Sequence, residues 1–109
     1  MRGNLLLPLI LLSACSPSDA ERGTLRHAHS IVSEWAAVAG LAAAGRVGST
    51  YVCNMAKDAR AQLASDRAAL TPNAPAARLL DSLGEAPDLE RLTHAAAALD
   101  RLEAARENR

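Results

Sequence analysis

The sequence predicts an all-α protein, a small antiparallel helical hairpin or three-to-four-helix bundle that follows a cleaved signal peptide. Three observations carry this prediction. Alanine, the strongest helix former, dominates the chain. Apolar residues recur at three- and four-residue spacing, which gives a helix one apolar face. Phenylalanine is absent, and the β-branched residues never form the alternating run of a half-buried strand.

The elements follow in order. Met1-Arg2-Gly3-Asn4 is a short positive start, and residues 5–12 are aliphatic apart from Pro8. That run is far shorter than the roughly 20 residues a helix needs to cross a bilayer core, so it reads as a cleaved signal. A first helix is expected over residues 18–45. Ser18-Asp19-Ala20-Glu21 has capping-box form. Leu25, Ala28, Val32, Trp35, Ala39 and Ala42 make the apolar stripe, widened by Ile31 and Val38, and Gly45 and Gly48 supply the stop. A second helix is expected over residues 49–70, apolar along Val47 or Tyr51, Met55, Ala59, Leu63 and Leu70, with Val52 and Ala56 beside them. Lys57, Asp58, Arg60, Asp66 and Arg67 are assigned to its solvated face.

Thr71-Pro72-Asn73-Ala74-Pro75 is the clearest linker. A short helix over residues 76–83 carries Leu79, Leu80 and Leu83 and closes at Gly84. The last helix is expected to begin around Pro87, a residue suited to a first turn. It continues through Leu89, Leu92, Ala96, Leu99 and Leu102 and frays over the final three residues.

Leu12-Ser13-Ala14-Cys15 places a branched aliphatic and two small residues before a cysteine. An ordinary signal peptidase cutting after Ala14 would meet Leu12 where it needs a small residue. The four residues together resemble the lipobox of bacterial lipoproteins. The resemblance covers only the first fifteen or so residues and names a processing class rather than a family for the rest. It implies cleavage ahead of Cys15, a diacylglyceryl thioether on that cysteine, and N-acylation, commonly palmitate, of the new terminus. Two or three acyl chains on one residue anchor a protein stably where a single chain does not. In Gram-negative lipoproteins an aspartate after the cysteine favours the inner membrane. Ser16 stands there instead, so the resemblance implies the outer membrane, facing the periplasm. The expected organisation is a signal peptide at 1–14, a lipidated terminus and tether at 15–20, and one helical domain at 21–109.

Removing 14 residues from 109 leaves 95, enough for one small domain, and removing Arg2 leaves 11 basic against 12 acidic side chains. The charges are mixed along the chain, without the concentrated basic face that a nucleic-acid partner requires. Trp35 and Tyr51 are the only aromatics, and much of the core must be alanine, which buries little area per residue. A small domain with a thin core is expected to lean on a protein partner, a second copy or the membrane surface.

Other constellations are read as structural. Trp35 and Tyr51 are natural anchors for a partner, but core is the favoured role for both. Cys53 is the one cysteine besides Cys15. It is expected to be buried and inert, with an intermolecular bridge as the alternative. The small residues Ala36, Gly40, Ala44 and Gly48 recur every fourth position, as an alanine-rich helix yields by chance. His27 and His29 are two residues apart, about 200° on a helix, so their rings face apart and hold no common metal. His94 adds no ligand pattern of normal spacing. No metal or cofactor is therefore expected. No nucleophile elbow, phosphate loop or paired-carboxylate cleft is present, and Asp58 and Asp66 are assigned to solvated charge rather than catalysis.

The functional expectation is a non-enzymatic, membrane-anchored lipoprotein of the bacterial envelope, an interaction or structural component with a protein partner or self-association. The alternatives are a small-molecule or ion-binding lipoprotein, and a lysis, entry-exclusion or inhibitor lipoprotein of a mobile element.

Overall fold

The computed structural model describes residues 17–107. Among them are four helices and no strands: α1 (Pro17–Ala43), α2 (Ser49–Ala69), α3 (Pro75–Leu83) and α4 (Leu89–Glu107). The signal peptide, Cys15 and Ser16 lie outside the described residues, as do Asn108 and Arg109. The predicted all-α class is what the chain adopts.

The helix ends follow from local chemistry. α1 begins at Pro17, one residue ahead of the expected cap. It ends in a Schellman motif, with Gly45 N–H on the Ala42 carbonyl at 2.9 Å and Arg46 N–H on the Leu41 carbonyl at 2.8 Å. Gly45 holds φ +71° to close this turn. A Cβ there meets no neighbour within 4 Å, so the strain of a substitution is purely conformational. Gly45→Ala is expected to cost about 1–2 kcal/mol, read as a lower midpoint in thermal unfolding with an unchanged folded spectrum.

α3 starts with Pro75 in its first turn, where a missing N–H costs nothing. α4 starts later than expected. Asp88 accepts the Arg91 N–H at 2.8 Å and caps the helix, leaving Pro87 outside it. A side-chain acceptor at the cap satisfies a donor that proline cannot reach.

α1 is the central element, packed along both α2 and α4, while α3 lies against α4 and α2. Leu25, Ala28, Ile31, Val32 and Trp35 of α1 are buried against Ala59, Leu63 and Leu70 of α2 and Leu92, Ala95 and Leu99 of α4. Ala76, Ala77, Leu80 and Leu83 of α3 complete this core. Five of the fifteen buried apolar residues are alanine, so the few large side chains carry most of the burial.

Two assignments on α2 change. Tyr51, expected in the core, is 56% exposed. It stands eight residues from the buried Ala59, an offset of about 80° at 100° per residue, and Val52 and Met55 take the inward positions instead. Asp66, expected in solvent, is only 8% exposed. It completes the spacing Ala59, Leu63, Asp66, Leu70, the inward stripe itself. Cys53 is also exposed rather than buried, because a helix that turns Val52 inward turns its neighbour out.

Candidate functional site

The polar contacts between helices set the register of the bundle. His27 of α1 places Nδ1 at 2.7 and 2.9 Å from the two carboxylate oxygens of Asp66 on α2. A carboxylate only accepts, so Nδ1 carries the proton and donates. His29 turns the other way and bonds Glu103 of α4 through its own Nδ1. The two rings face apart as the helical spacing requires, and each fastens α1 to a different neighbour. Near the start of α1, Arg106 donates to Glu21 at 2.9 Å. The described residues contain no group of three side chains placed to hold a metal ion. No buried side-chain nitrogen or oxygen among them lacks a hydrogen-bond partner.

On the opposite side of the bundle, α3 is tied down by α2. Arg67 grips Asp81 with two bonds of 2.7 and 3.0 Å, and Arg60 donates to the Glu85 carbonyl at 3.1 Å. The hydrogen bonds from Arg67 hold the Asp81 carboxyl below its ordinary range and raise the guanidinium. A carboxylate depressed on folding stabilises the fold above its unfolded value of about 4, and that contribution disappears as pH falls through the folded value. Asp81→Asn is therefore expected to lower neutral-pH stability slightly, as solvent-exposed pairs contribute little, and to leave stability in acid at the wild-type level, so that the acid limb flattens by the same small amount. Urea titrations across pH 3–7 would check this.

Two open clefts border the apolar core. One, about 280 Å³, runs past the edge of Trp35 between Leu63, Leu80 and Leu83. The other, about 160 Å³, lies between Leu25, Leu70 and Leu102 near the start of α1. Both are below the usual size of a ligand site, roughly 300 Å³ and upward, while a third, about 390 Å³, is a more open groove between Asp88, Glu90, Arg91 and His94 at the start of α4. Charged side chains line the first two, and Arg67 with Asp81 in one and Arg106 with Glu21 in the other are already paired with each other.

The most distinctive surface lies elsewhere. Leu41, Tyr51 and Leu89 are the exposed large hydrophobics of the described residues, at 42%, 56% and 39%. They belong to three different helices, yet the register brings them to one height. Leu41 is 14 residues from His27, Tyr51 is 15 from Asp66, and Leu89 is 14 from Glu103. Each interval is about four helical turns, roughly 21 Å along antiparallel or central helices. Leu41 therefore lies near the side of α1 that His27 occupies, Tyr51 near the Asp66 side of α2 and Leu89 near the Glu103 side of α4. That level is the end of the bundle where α1 turns into α2. No charged residue interrupts α1 between Glu34 and Arg46. Single exposed hydrophobics are ordinary, but three at one end of the bundle, rimmed by the exposed Arg46, Asp88 and Glu90, form a candidate interaction surface.

Of the predicted anchors, then, Trp35 is core, at 5% exposure, and Tyr51 is surface. Leu41 and Leu89 were not singled out by sequence. Leu89 stood on its helix's apolar stripe and Leu41 amid alanines, and neither signals exposure by itself. Among the described residues no helix is long and apolar enough to cross a membrane. No protein-family profile, curated protein or solved structure matches the chain.

Proposed function

We propose that the mature chain is a lipid-anchored, non-enzymatic interaction protein of a bacterial envelope, held by acyl chains on Cys15 and facing the periplasm from the outer membrane. The observation that carries the interaction reading is the exposure of Leu41, Tyr51 and Leu89 at one end of the bundle. The lipobox-like Leu12-Ser13-Ala14-Cys15 supports the anchor. The two features stand at opposite ends of α1. Its 27 residues separate them by about 40 Å at 1.5 Å per residue. Only Ser16 lies between the lipidated cysteine and the helix, so the start of α1 stays at the headgroups while its far end reaches a partner.

Two results test this reading together. Labelled palmitate is incorporated by the chain and not by a Cys15→Ser variant. A photocrosslinking residue placed at Leu41 or Tyr51 captures a protein in intact envelopes, whereas the same residue at Ser82, on the α3 side, does not. Absence of acylation would remove the anchor, and absence of any protein adduct at both distal positions would remove the interaction.

A further inference from the structure

We infer that the cleft between α2 and α3 binds a small anionic amphiphile, an alkyl carboxylate whose chain lies along Trp35 and whose headgroup sits on Arg60. The first argument is the lining. Trp35, Leu63, Leu80 and Leu83 form the apolar floor. Each is less than a tenth exposed, so the floor is held in place by the core and exists before any ligand arrives. Ala64 stands at the mouth between Arg60 and Arg67, four residues after one and three before the other, which puts all three on one side of α2. A methyl group there leaves the mouth open where a larger side chain would fill it.

The second argument is size. The cleft measures about 280 Å³. An apolar cavity of about 150 Å³ accepts benzene, so in the same proportion this one accommodates a molecule of about ten heavy atoms. That is too little for a nucleotide and suits a medium-length alkyl chain.

The third argument is charge. The charged side chains lining the cleft are Arg60, Arg67 and Asp81, with one positive charge in excess. Arg67 and Asp81 answer each other through their two hydrogen bonds. Arg60 makes no ion pair among the described residues. Its Nη1 donates to the Glu85 carbonyl at 3.1 Å, which steadies the guanidinium at the rim. A guanidinium carries five N–H donors in a planar fork, so the others remain for a ligand. A carboxylate matches that fork with two parallel bonds, where a neutral headgroup leaves the excess charge unanswered. None of Leu41, Tyr51 and Leu89 lines this cleft, so the site stands apart from the surface that carries the interaction reading.

Trp35 is the only tryptophan of the chain, and its emission therefore reports on the cleft. The mature protein in vesicles of neutral phosphatidylcholine is titrated near neutral pH with octanoate. A parallel titration uses octanol, which enters the same bilayer without the charge. Octanoate shifts the Trp35 emission saturably, and octanol binds at least about tenfold more weakly, the effect of one lost charge-assisted contact. Arg60→Gln weakens octanoate by a similar factor and leaves octanol unchanged. Ala64→Leu fills the mouth and removes the response to both. Arg60 and Ala64 are exposed, so circular dichroism of both variants stays at the wild-type level. A wild-type emission that octanoate leaves unchanged would overturn the proposal. Equal affinity for octanoate and octanol, or full octanoate affinity in Arg60→Gln, would overturn the role of charge. An undiminished response in Ala64→Leu would place the ligand outside this cleft and overturn the site itself.

Discussion

Replacing Trp35 by alanine is expected to unfold a large fraction of the protein at physiological temperature. Trp35 is 5% exposed and stands where α1, α2 and α3 meet, beside Leu63, Leu80 and Leu83. Truncating a buried tryptophan costs about 3–5 kcal/mol, the lost transfer free energy plus the cavity left behind. Domains of this size hold roughly 0.05–0.15 kcal/mol per residue in total. The cost is therefore comparable to the whole stability of a core one-third alanine, five of fifteen residues. In a small domain each kcal/mol moves the midpoint by about 4–8 °C, so a drop of more than roughly 12 °C follows. Circular dichroism checks it. Retained helicity with an unchanged midpoint would show that Trp35 is not a core residue.

The second large effect concerns the His27–Asp66 pair, and it is asymmetric. The Asp66 side chain is 11% exposed and that of His27 is 47% exposed. His27→Ala removes the donor and leaves a carboxylate on the inward stripe without its partner. Such an orphaned buried group costs about 1–3 kcal/mol, more when charged. Asp66→Leu instead removes the buried charge and continues the apolar spacing of Ala59, Leu63 and Leu70, leaving only a surface imidazole that water satisfies. Replacing a buried polar group by an apolar one of similar size is often neutral or stabilising. The expected order of stability in urea titration is Asp66→Leu at or above wild type, and His27→Ala clearly below it. The double variant His27→Ala with Asp66→Leu should recover most of the loss, because the orphaned charge is gone. Equal destabilisation by both single changes would contradict the burial asymmetry.

Much of this was legible in the sequence. The four helices, their order and the inward stripe of α1 follow from spacing and punctuation alone. So does the separation of His27 from His29, which is a property of one helix. What spacing within a helix does not specify is which residue of the next helix stands opposite. The partners of the histidines, Asp66 and Glu103, therefore emerged only with the three-dimensional register. Asp66 still left a trace, since an acid three residues after Leu63 and four before Leu70 sits at a core position and calls for a buried donor. The charged Lys57, Asp58, Arg60 and Arg67 around it mask that signal and favour a solvated face. Tyr51 erred in the other direction. A large aromatic in a chain with few of them favours the core on composition, although Val52 and Met55 fit the inward direction better. The distal patch was invisible for the same reason as the histidine pairs. Leu41, Tyr51 and Leu89 are far apart in sequence, and only the cross-helix register brings them to one height.

That patch is the centre of the functional account, and one measurement addresses it most directly. A triple variant Leu41→Asn, Tyr51→Asn, Leu89→Asn is compared with wild type for thermal unfolding and for crosslinked adducts in intact envelopes. The account predicts a midpoint within a few degrees of wild type, as surface changes usually stay within about 0.5 kcal/mol each, together with loss of the adducts. A collapsed midpoint would show that these residues belong to the core, and undiminished adducts in a folded variant would show that partners bind elsewhere.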